Sequence, residues 1–218
     1  MKKLLVSICI CMCVSSTMLA QTNSAKAKTI LDEVSATTKS YSTISVDFTF
    51  VHQTKDEAST ENKTSGTLLL KSNKYVLELF GNKLFYNGKS LWTYMMEEKE
   101  VVVSNVDESS ESSFNPAKML TIYEEGFKYQ FVQERFEQGR ALQVIDLFPK
   151  DLAKSEYSRV RLSIDKDKKQ IWKIEYFAKD ENTYTITVVK FQTNIAVADT
   201  DFVFDAAKYP GVMLIDER

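Results

Sequence analysis

The sequence has few of the residues on which most metal proteins and many enzymes depend. Its 218 residues include three cysteines, Cys9, Cys11 and Cys13, and one histidine, His52. All three cysteines lie within the first 20 residues, so a chain without that stretch has no thiol for a disulfide, a thiolate metal site or a nucleophile. A lone histidine in a polar stretch is typical of solvated surface rather than of a catalyst.

Catalytic and phosphate-binding patterns are missing as well. The chain has no glycine-rich phosphate loop, no G-x-S-x-G elbow and no H-E-x-x-H helix. The acidic runs at 97–98 and 107–111 lack the spacing of a calcium loop and are typical of a solvated face. We therefore predict that the protein is not an enzyme and uses no metal and no cofactor.

The first 20 residues predict an export signal. Lys2 and Lys3 precede an uncharged apolar run from Leu4 to Leu19, and Ala20 offers a cleavage point. The run is short and no stop-transfer pattern follows, which favours a cleaved signal peptide over a retained anchor. The predicted organisation is a signal peptide over 1–20 and a single domain over 21–218.

The remaining chain is mildly acidic. Without Lys2 and Lys3 it has 26 basic residues against 30 acidic ones, a net charge near −4. That balance argues against nucleic acid or an anionic membrane surface as the main partner.

The periodicity predicts one helix followed by many strands. Apolar residues recur at helical spacing over 24–41, and from residue 44 onward the period changes to two, giving about twelve strands that end with one at 201–205. No helix-length pattern separates successive strands, so the sheet should be an antiparallel meander. A second, short helix is predicted where Asn115 caps Pro116, and it would carry Met119 and Leu120.

Three turn signals set the expected strand register, at Ser72-Asn73, Gly81-Asn82 and Asn87-Gly88. Two-residue loops there would place Leu79 opposite Leu84, and Leu84 opposite Leu91. Because opposed residues share a face of the sheet, one face becomes apolar over four strands. Its members are Leu68, Leu70, Tyr75, Leu77, Leu79, Leu84, Tyr86, Leu91 and Thr93.

An apolar face of this breadth must be covered by something. The predicted helices are too little material to cover a sheet of about a dozen strands. The sheet therefore either closes into an ordinary packed core or stays partly open around an apolar hollow, which would be a ligand site. Periodicity alone does not distinguish these two arrangements.

Several short motifs follow one another along the chain. The run Gly66-Thr-Leu-Leu-Leu-Lys71 has the strand pattern G-x-L-x-x-K, and the stretch Asn87-Gly88-Lys-Ser-Leu-Trp-Thr-Tyr94 has the hairpin pattern D/N-G-K-x-L-W-x-Y. Further motifs lie at Asn115-Pro116, Leu147-Phe-Pro-Lys150, Phe202-Val-Phe204, Pro210-Gly-Val212 and 215–218. In this order the motifs resemble the periplasmic lipoprotein carrier family LolA, and the resemblance spans nearly the whole chain after residue 20.

The resemblance implies an α+β fold: an incomplete antiparallel β-barrel, or half-barrel, of about 11–12 strands with a lid of short helices. It implies a periplasmic carrier that binds lipoprotein acyl chains in a hydrophobic cavity and moves them from the inner to the outer membrane. The partners would be acylated lipoproteins, an inner-membrane lipoprotein-releasing transporter and an outer-membrane acceptor, with the protein a monomer. On this reading the cavity lining is Leu68, Leu70, Tyr75, Leu77, Leu79, Leu84, Tyr86 and Leu91, and the lid is lined by Ile30, Leu31, Val34, Met119 and Leu120.

One departure from the family pattern concerns the lid. Many family members have an arginine followed by proline after the first long strand, and that arginine helps to hold the lid closed. This chain has Lys71-Ser72-Asn73 there, so Lys71 is the candidate latch, although a lysine lacks the forked hydrogen bonding of a guanidinium. The alternative function is a related periplasmic module of the same fold that binds another lipid or senses lipoprotein.

Overall fold

The computed structural model describes residues 23–55, 62–106, 116, 120–121, 123–124 and 126–218. Helix α1 spans 23–39 and confirms the helix predicted at 24–41. Ala27, Ile30, Leu31 and Val34 recur along it at intervals of three and one residues, and none is more than 5% exposed. The narrow apolar stripe is therefore the buried side of an otherwise polar helix.

In the described residues, twelve strands of a large open sheet follow α1, which confirms the predicted strand number and the change to a two-residue period. They are β1 Ile44–Gln53, β2 Asn62–Lys71, β3 Lys74–Leu79, β4 Asn82–Tyr86, β5 Ser90–Met95, β6 Glu100–Asn105, β7 Phe127–Glu137, β8 Arg140–Pro149, β9 Tyr157–Asp165, β10 Gln170–Ala178, β11 Thr183–Thr193 and β12 Met213–Asp216.

The chain divides into two compact units, the larger formed by residues 38–122 and 182–218 and the smaller by residues up to 37 and 123–181. In the larger unit the strand order is β12-β6-β5-β4-β3-β2-β1-β11. Neighbours are antiparallel except β12, which runs parallel to β6. The prediction of a purely antiparallel sheet was wrong for that one pair, whereas the open order confirms that these strands do not close.

The smaller unit combines most of α1 with four strands in the order β10-β9-β8-β7. Polar contacts attach the helix to this sheet. The Lys26 ammonium lies 3.6 Å from the centre of the Phe131 ring and 3.4 Å from a Glu134 carboxylate oxygen. Glu33 pairs with Lys169 at 2.7 Å.

Two of the three expected turns differ from their predicted positions. The β2–β3 register is as predicted, with Leu70 opposite Tyr75. The β3–β4 turn is formed by Phe80 and Gly81, both at positive φ, rather than by Gly81-Asn82, so Leu77 lies opposite Leu84. This is the backbone pattern of a type I′ turn.

The Asn87-Gly88 hairpin turns one residue later than expected. Only Gly88 has a positive φ, and the Asn87 amide donates to the Ser90 carbonyl at 3.3 Å. Gly88 and Lys89 are thus the central residues, as in a type II′ turn, and Asn87 Oδ1 accepts from the Lys89 and Ser90 amides. Leu84 therefore pairs with Thr93 instead of Leu91.

The C-terminal end of the chain differs most from prediction. The strand expected at 201–205 is a 3₁₀ turn, Asp199–Phe202, followed by a second one, Ala206–Lys208. The last strand of the sheet is instead β12. Within the expected mid-chain helix, Pro116 and Leu120 have 3₁₀ geometry, while Asn115 and Met119 lie outside the described residues.

Candidate functional site

The larger unit carries a continuous apolar surface on one side of its sheet, which we call the inner face. Its buried members are Ile44, Val46, Phe48, Leu68, Leu70, Tyr75, Leu77 and Tyr86. Partly buried residues pack against them, among them Leu79, Leu84 and Leu91. The structure thus brings all eight predicted lining residues into one cluster; their role in binding stays a prediction.

Sequence reasoning missed the contribution of two strands to this face. Ile44, Val46 and Phe48 come from β1, and Ile186 and Val188 come from β11, which pairs with β1 on the side away from β2. The alternation in the stretch 44–50 was a usable signal. The three short hairpin turns fix the register of β2 to β5 alone. They do not predict that β1 pairs with β2 and β11.

A cavity of about 320 Å³ opens at one end of the inner face. That volume lies at the lower end of the range for small-molecule sites. Apolar side chains mix with hydroxyl groups along its wall. The lining residues are Thr38, Lys39, Tyr41, Ser42, Thr43, Ile44, Leu70, Ser72, Leu120 and Thr121.

The inner face is electrically neutral over its buried part. Its two buried phenols, Tyr75 and Tyr86, have ring centres 5.2 Å apart, and burial raises the pKa of Tyr75 to about 12. Tyr75 therefore stays protonated at any physiological pH. A neutral surface of this kind accepts hydrocarbon without the cost of desolvating a charge.

A row of aromatic rings lies at the other end of the inner face from the cavity. Phe80 packs edge-on against Phe50 at 5.1 Å, Phe50 lies 6.2 Å from Tyr184, and Tyr184 stacks on His52 at 4.7 Å. The expectation that His52 is a solvated surface residue was wrong. It is partly buried, and its Nε2 atom has no hydrogen-bond partner among the described residues.

The described residues predicted to line the lid are divided between the two compact units. Ile30, Leu31 and Val34 are 5%, 2% and 0% exposed and belong to the smaller unit. Leu120 belongs to the larger unit, where it lines the cavity and packs against the inner face. Met119 lies outside the described residues. In the described part of the chain, helical structure amounts to α1 and short 3₁₀ turns rather than several lid helices.

Among the described residues, Lys71 contacts the C-terminal segment, residues 194–212. Its ammonium donates to Asp199 Oδ1 at 2.9 Å and to the Val197 carbonyl at 3.3 Å. Lys74 reaches the other Asp199 oxygen at 2.9 Å. Hydrogen bonds from Lys74 and then Lys71 lower the pKa of Asp199 to about 2.

The opposite side of this sheet, the outer face, is covered by the same C-terminal segment. Phe85, Trp92, Val101 and Val103 form its buried centre together with Phe204. The rings of Phe204 and Tyr209 stack at 4.9 Å. The aromatic residues of the β4–β5 hairpin therefore serve two purposes: one side contributes to the inner face and the other packs under the chain's own C-terminal residues.

No group of three or more metal-ligating side chains occurs in the part of the chain that the structure describes. Among the helices of the same residues, none has the length and apolarity needed to cross a membrane. The larger unit therefore has an apolar face with a cavity at its rim.

The fold places this chain in the class of proteins built on a large open β-sheet. The family model described as "Outer membrane lipoprotein carrier protein LolA" matches residues 39–205. The chain therefore belongs to the LolA family. A search of curated proteins finds no match.

Several solved structures are similar to this chain at low sequence identity. An uncharacterized conserved protein from Thermus thermophilus is 10% identical with a TM-score of 0.58, covering 88% of this chain and 99% of its own. A LolA superfamily protein from Nitrosomonas europaea is 12% identical (TM-score 0.42; 82% and 97% covered). The Mycobacterium tuberculosis lipoprotein LppX is 15% identical (TM-score 0.47; 78% and 98% covered). The likeness to the Thermus protein concerns the fold alone.

Proposed function

We propose that this protein is a periplasmic carrier that binds the acyl chains of lipoproteins on its inner face and moves them from the inner to the outer membrane. The proposed partners are an inner-membrane lipoprotein-releasing transporter and an outer-membrane acceptor, and residues 1–20 are the signal peptide that directs export. The observation that carries the proposal is the clustering of eight apolar side chains with the cavity at their rim, in a chain of this family.

The energetics support such a cargo. Burying one chain of roughly 15 methylenes at ~0.8 kcal/mol each gives ~12 kcal/mol gross, before the costs of association and ordering. This is enough to keep a lipid in solution. Release of the cargo requires a net affinity below this gross value. A weaker affinity is favoured by the partly buried side chains of the inner face, which leave part of that face unpacked; these include Leu79, Leu84 and Leu91.

The first experiment purifies the protein from the periplasm and identifies co-purified lipid and lipoprotein by mass spectrometry. Leu79→Glu places a carboxylate on the partly buried edge of the inner face and should abolish cargo binding, because the charge would have to be desolvated. Val189→Glu is the matched control, since Val189 is 63% exposed on β11. It should carry the wild-type amount.

Depletion of the protein tests the transport step. Lipoproteins should then accumulate in the inner membrane. If they still reached the outer membrane at the normal rate, shuttling would be wrong even if lipid binding held. Recovery of a different lipid class with the wild-type protein would favour the related binding or sensing module instead.

A further inference from the structure

Phe80 occupies a backbone position that disfavours its side chain. It is the first central residue of the β3–β4 turn, with φ 53°, and Gly81 follows with φ 72°. Type I′ turns strongly favour Asn, Asp and Gly at such positions, and a bulky residue there is strained. Strain of this kind persists where the surrounding structure holds the residue in place, and strained residues cluster at ligand-binding and active sites.

The Phe80 ring has a defined contact although the residue is 56% exposed. It meets the Phe50 ring edge-on, with centroids 5.1 Å apart and planes at 85°. Phe50 packs against the inner-face cluster. Phe80 therefore covers the end of this face from outside while its far side contacts solvent.

The cavity lies at the opposite end of the same strands. Ile44, which lines it, is six residues before Phe50 on β1. At about 3.3 Å per residue the two positions are roughly 20 Å apart. An extended hydrocarbon chain that starts in the cavity and follows β1 would thus meet the Phe50–Phe80 pair after a fixed length.

We propose that Phe80 is the end wall of the inner face and sets the length of acyl chain that the protein binds best. This inference rests on the proposed function and adds a specificity-determining residue to it. For acyl chains that end before Phe80, each additional methylene makes a new contact and raises the affinity roughly fourfold. For chains that reach past Phe80, additional methylenes do not raise the affinity.

The test measures displacement of the fluorescent probe 1-anilinonaphthalene-8-sulfonate by saturated fatty acids of increasing length. For the wild type, affinity should rise with each methylene and then level off. In Phe80→Ala and Phe80→Gly the plateau should move to longer chains by at least two methylenes, a gain of about tenfold or more for the longest acids. Phe80→Gly also removes the backbone strain at φ 53°. It therefore provides a folded variant for the measurement if Phe80→Ala does not fold.

Phe136→Ala is the control, because Phe136 is also next to a hairpin turn and is 77% exposed in the smaller unit. Its plateau should match the wild type. An unmoved plateau in both Phe80 variants overturns the wall and leaves lipid binding intact. An equal shift in Phe136→Ala overturns it too. A wild type that binds no fatty acid overturns the proposed function and the wall together.

Discussion

The ring of Phe48 on β1 lies against Gly66 on β2, so that a Cβ atom at residue 66 would come within 2.5 Å of the Phe48 Cζ atom. The two residues are direct partners across the β1–β2 ladder. The missing side chain at residue 66 leaves the space that the aromatic ring fills. The glycine of the G-x-L-x-x-K strand thus has a packing reason in this chain.

Gly66→Ala should therefore destabilise the protein. The Phe48 ring is 7% exposed and cannot swing away freely, and overpacking of this kind costs about 1–3 kcal/mol. Urea unfolding measures the loss. In a Phe48→Leu background the same change should cost less, because the smaller side chain leaves room for the methyl group. Equal costs in the two backgrounds would show that the ring is not what excludes the Cβ atom.

The inner face could be predicted although two turns were misplaced. The loops at Phe80-Gly81 and Gly88-Lys89 each begin one residue away from the expected position, which moves the pairing by two residues. A shift of two keeps every side chain on its own face, because side chains alternate with period two. Residues such as Leu77 and Leu84 were therefore grouped correctly from the sequence alone.

Long-range features could not be predicted in this way. β12 pairs in parallel with β6, more than a hundred residues earlier in the chain, and no local turn signal announces that pairing. Likewise, the resemblance made Lys71 the candidate latch but gave no means of finding its partner. Asp199 lies just before the strand that was predicted at 201–205. Only tertiary packing brings its carboxylate to the Lys71 ammonium.

Asp199→Asn should loosen the C-terminal segment. The substitution removes the charge that Lys71 and Lys74 share, so amides around residues 195–203 should exchange hydrogen faster at neutral pH. Asp32→Asn is a matched control, since Asp32 pairs with Lys28 on α1 and its side chain is 63% exposed against 64% for Asp199. Unchanged exchange in Asp199→Asn would show that ring packing alone holds the segment.

The same carboxylate gives a pH dependence with a definite sign. The folded-state pKa of Asp199 is about 2, below its ordinary value of 3.8. Its contribution to stability is therefore fully present above about pH 4 and is lost as the pH falls towards 2. Thermal unfolding between pH 2 and 5 should show a smaller pH dependence for Asp199→Asn than for the wild type. Identical pH profiles would contradict the assignment.

Leu31→Ala tests whether α1 is part of the packed structure or a detachable lid. Leu31 is 2% exposed, and truncation of a buried leucine costs about 2–5 kcal/mol. The exposed neighbour Lys28 provides the control: Lys28→Ala should change the free energy of unfolding by no more than about 0.5 kcal/mol. A Leu31→Ala protein with an unchanged urea midpoint would mean that the helix contributes little to global stability, as a mobile lid would.

Truncations on the outer and inner faces of the same sheet should differ in whether they mainly lower the free energy of unfolding or the affinity for fatty acids. Phe204 is 7% exposed and packs on the outer face against Phe85, Tyr94 and Tyr209. Phe204→Ala should lower the free energy of unfolding by about 3–5 kcal/mol. Its affinity for fatty acids under strongly folding conditions should not change, because the ring does not belong to the inner face.

Leu79→Ala, on the inner face, should weaken fatty-acid binding more than it lowers the free energy of unfolding. Leu79 is only partly buried within the inner-face cluster, so it has less packing to lose on truncation than a fully buried leucine. The free energy of unfolding should therefore fall by less than for Phe204→Ala, while fatty-acid affinity falls several-fold because hydrocarbon contacts are lost. Urea unfolding and probe displacement on the same two proteins give both quantities. If Phe204→Ala weakened fatty-acid binding and Leu79→Ala left it unchanged, the lipid would lie on the outer face, and the binding surface would have to be reassigned to the side that the C-terminal segment covers.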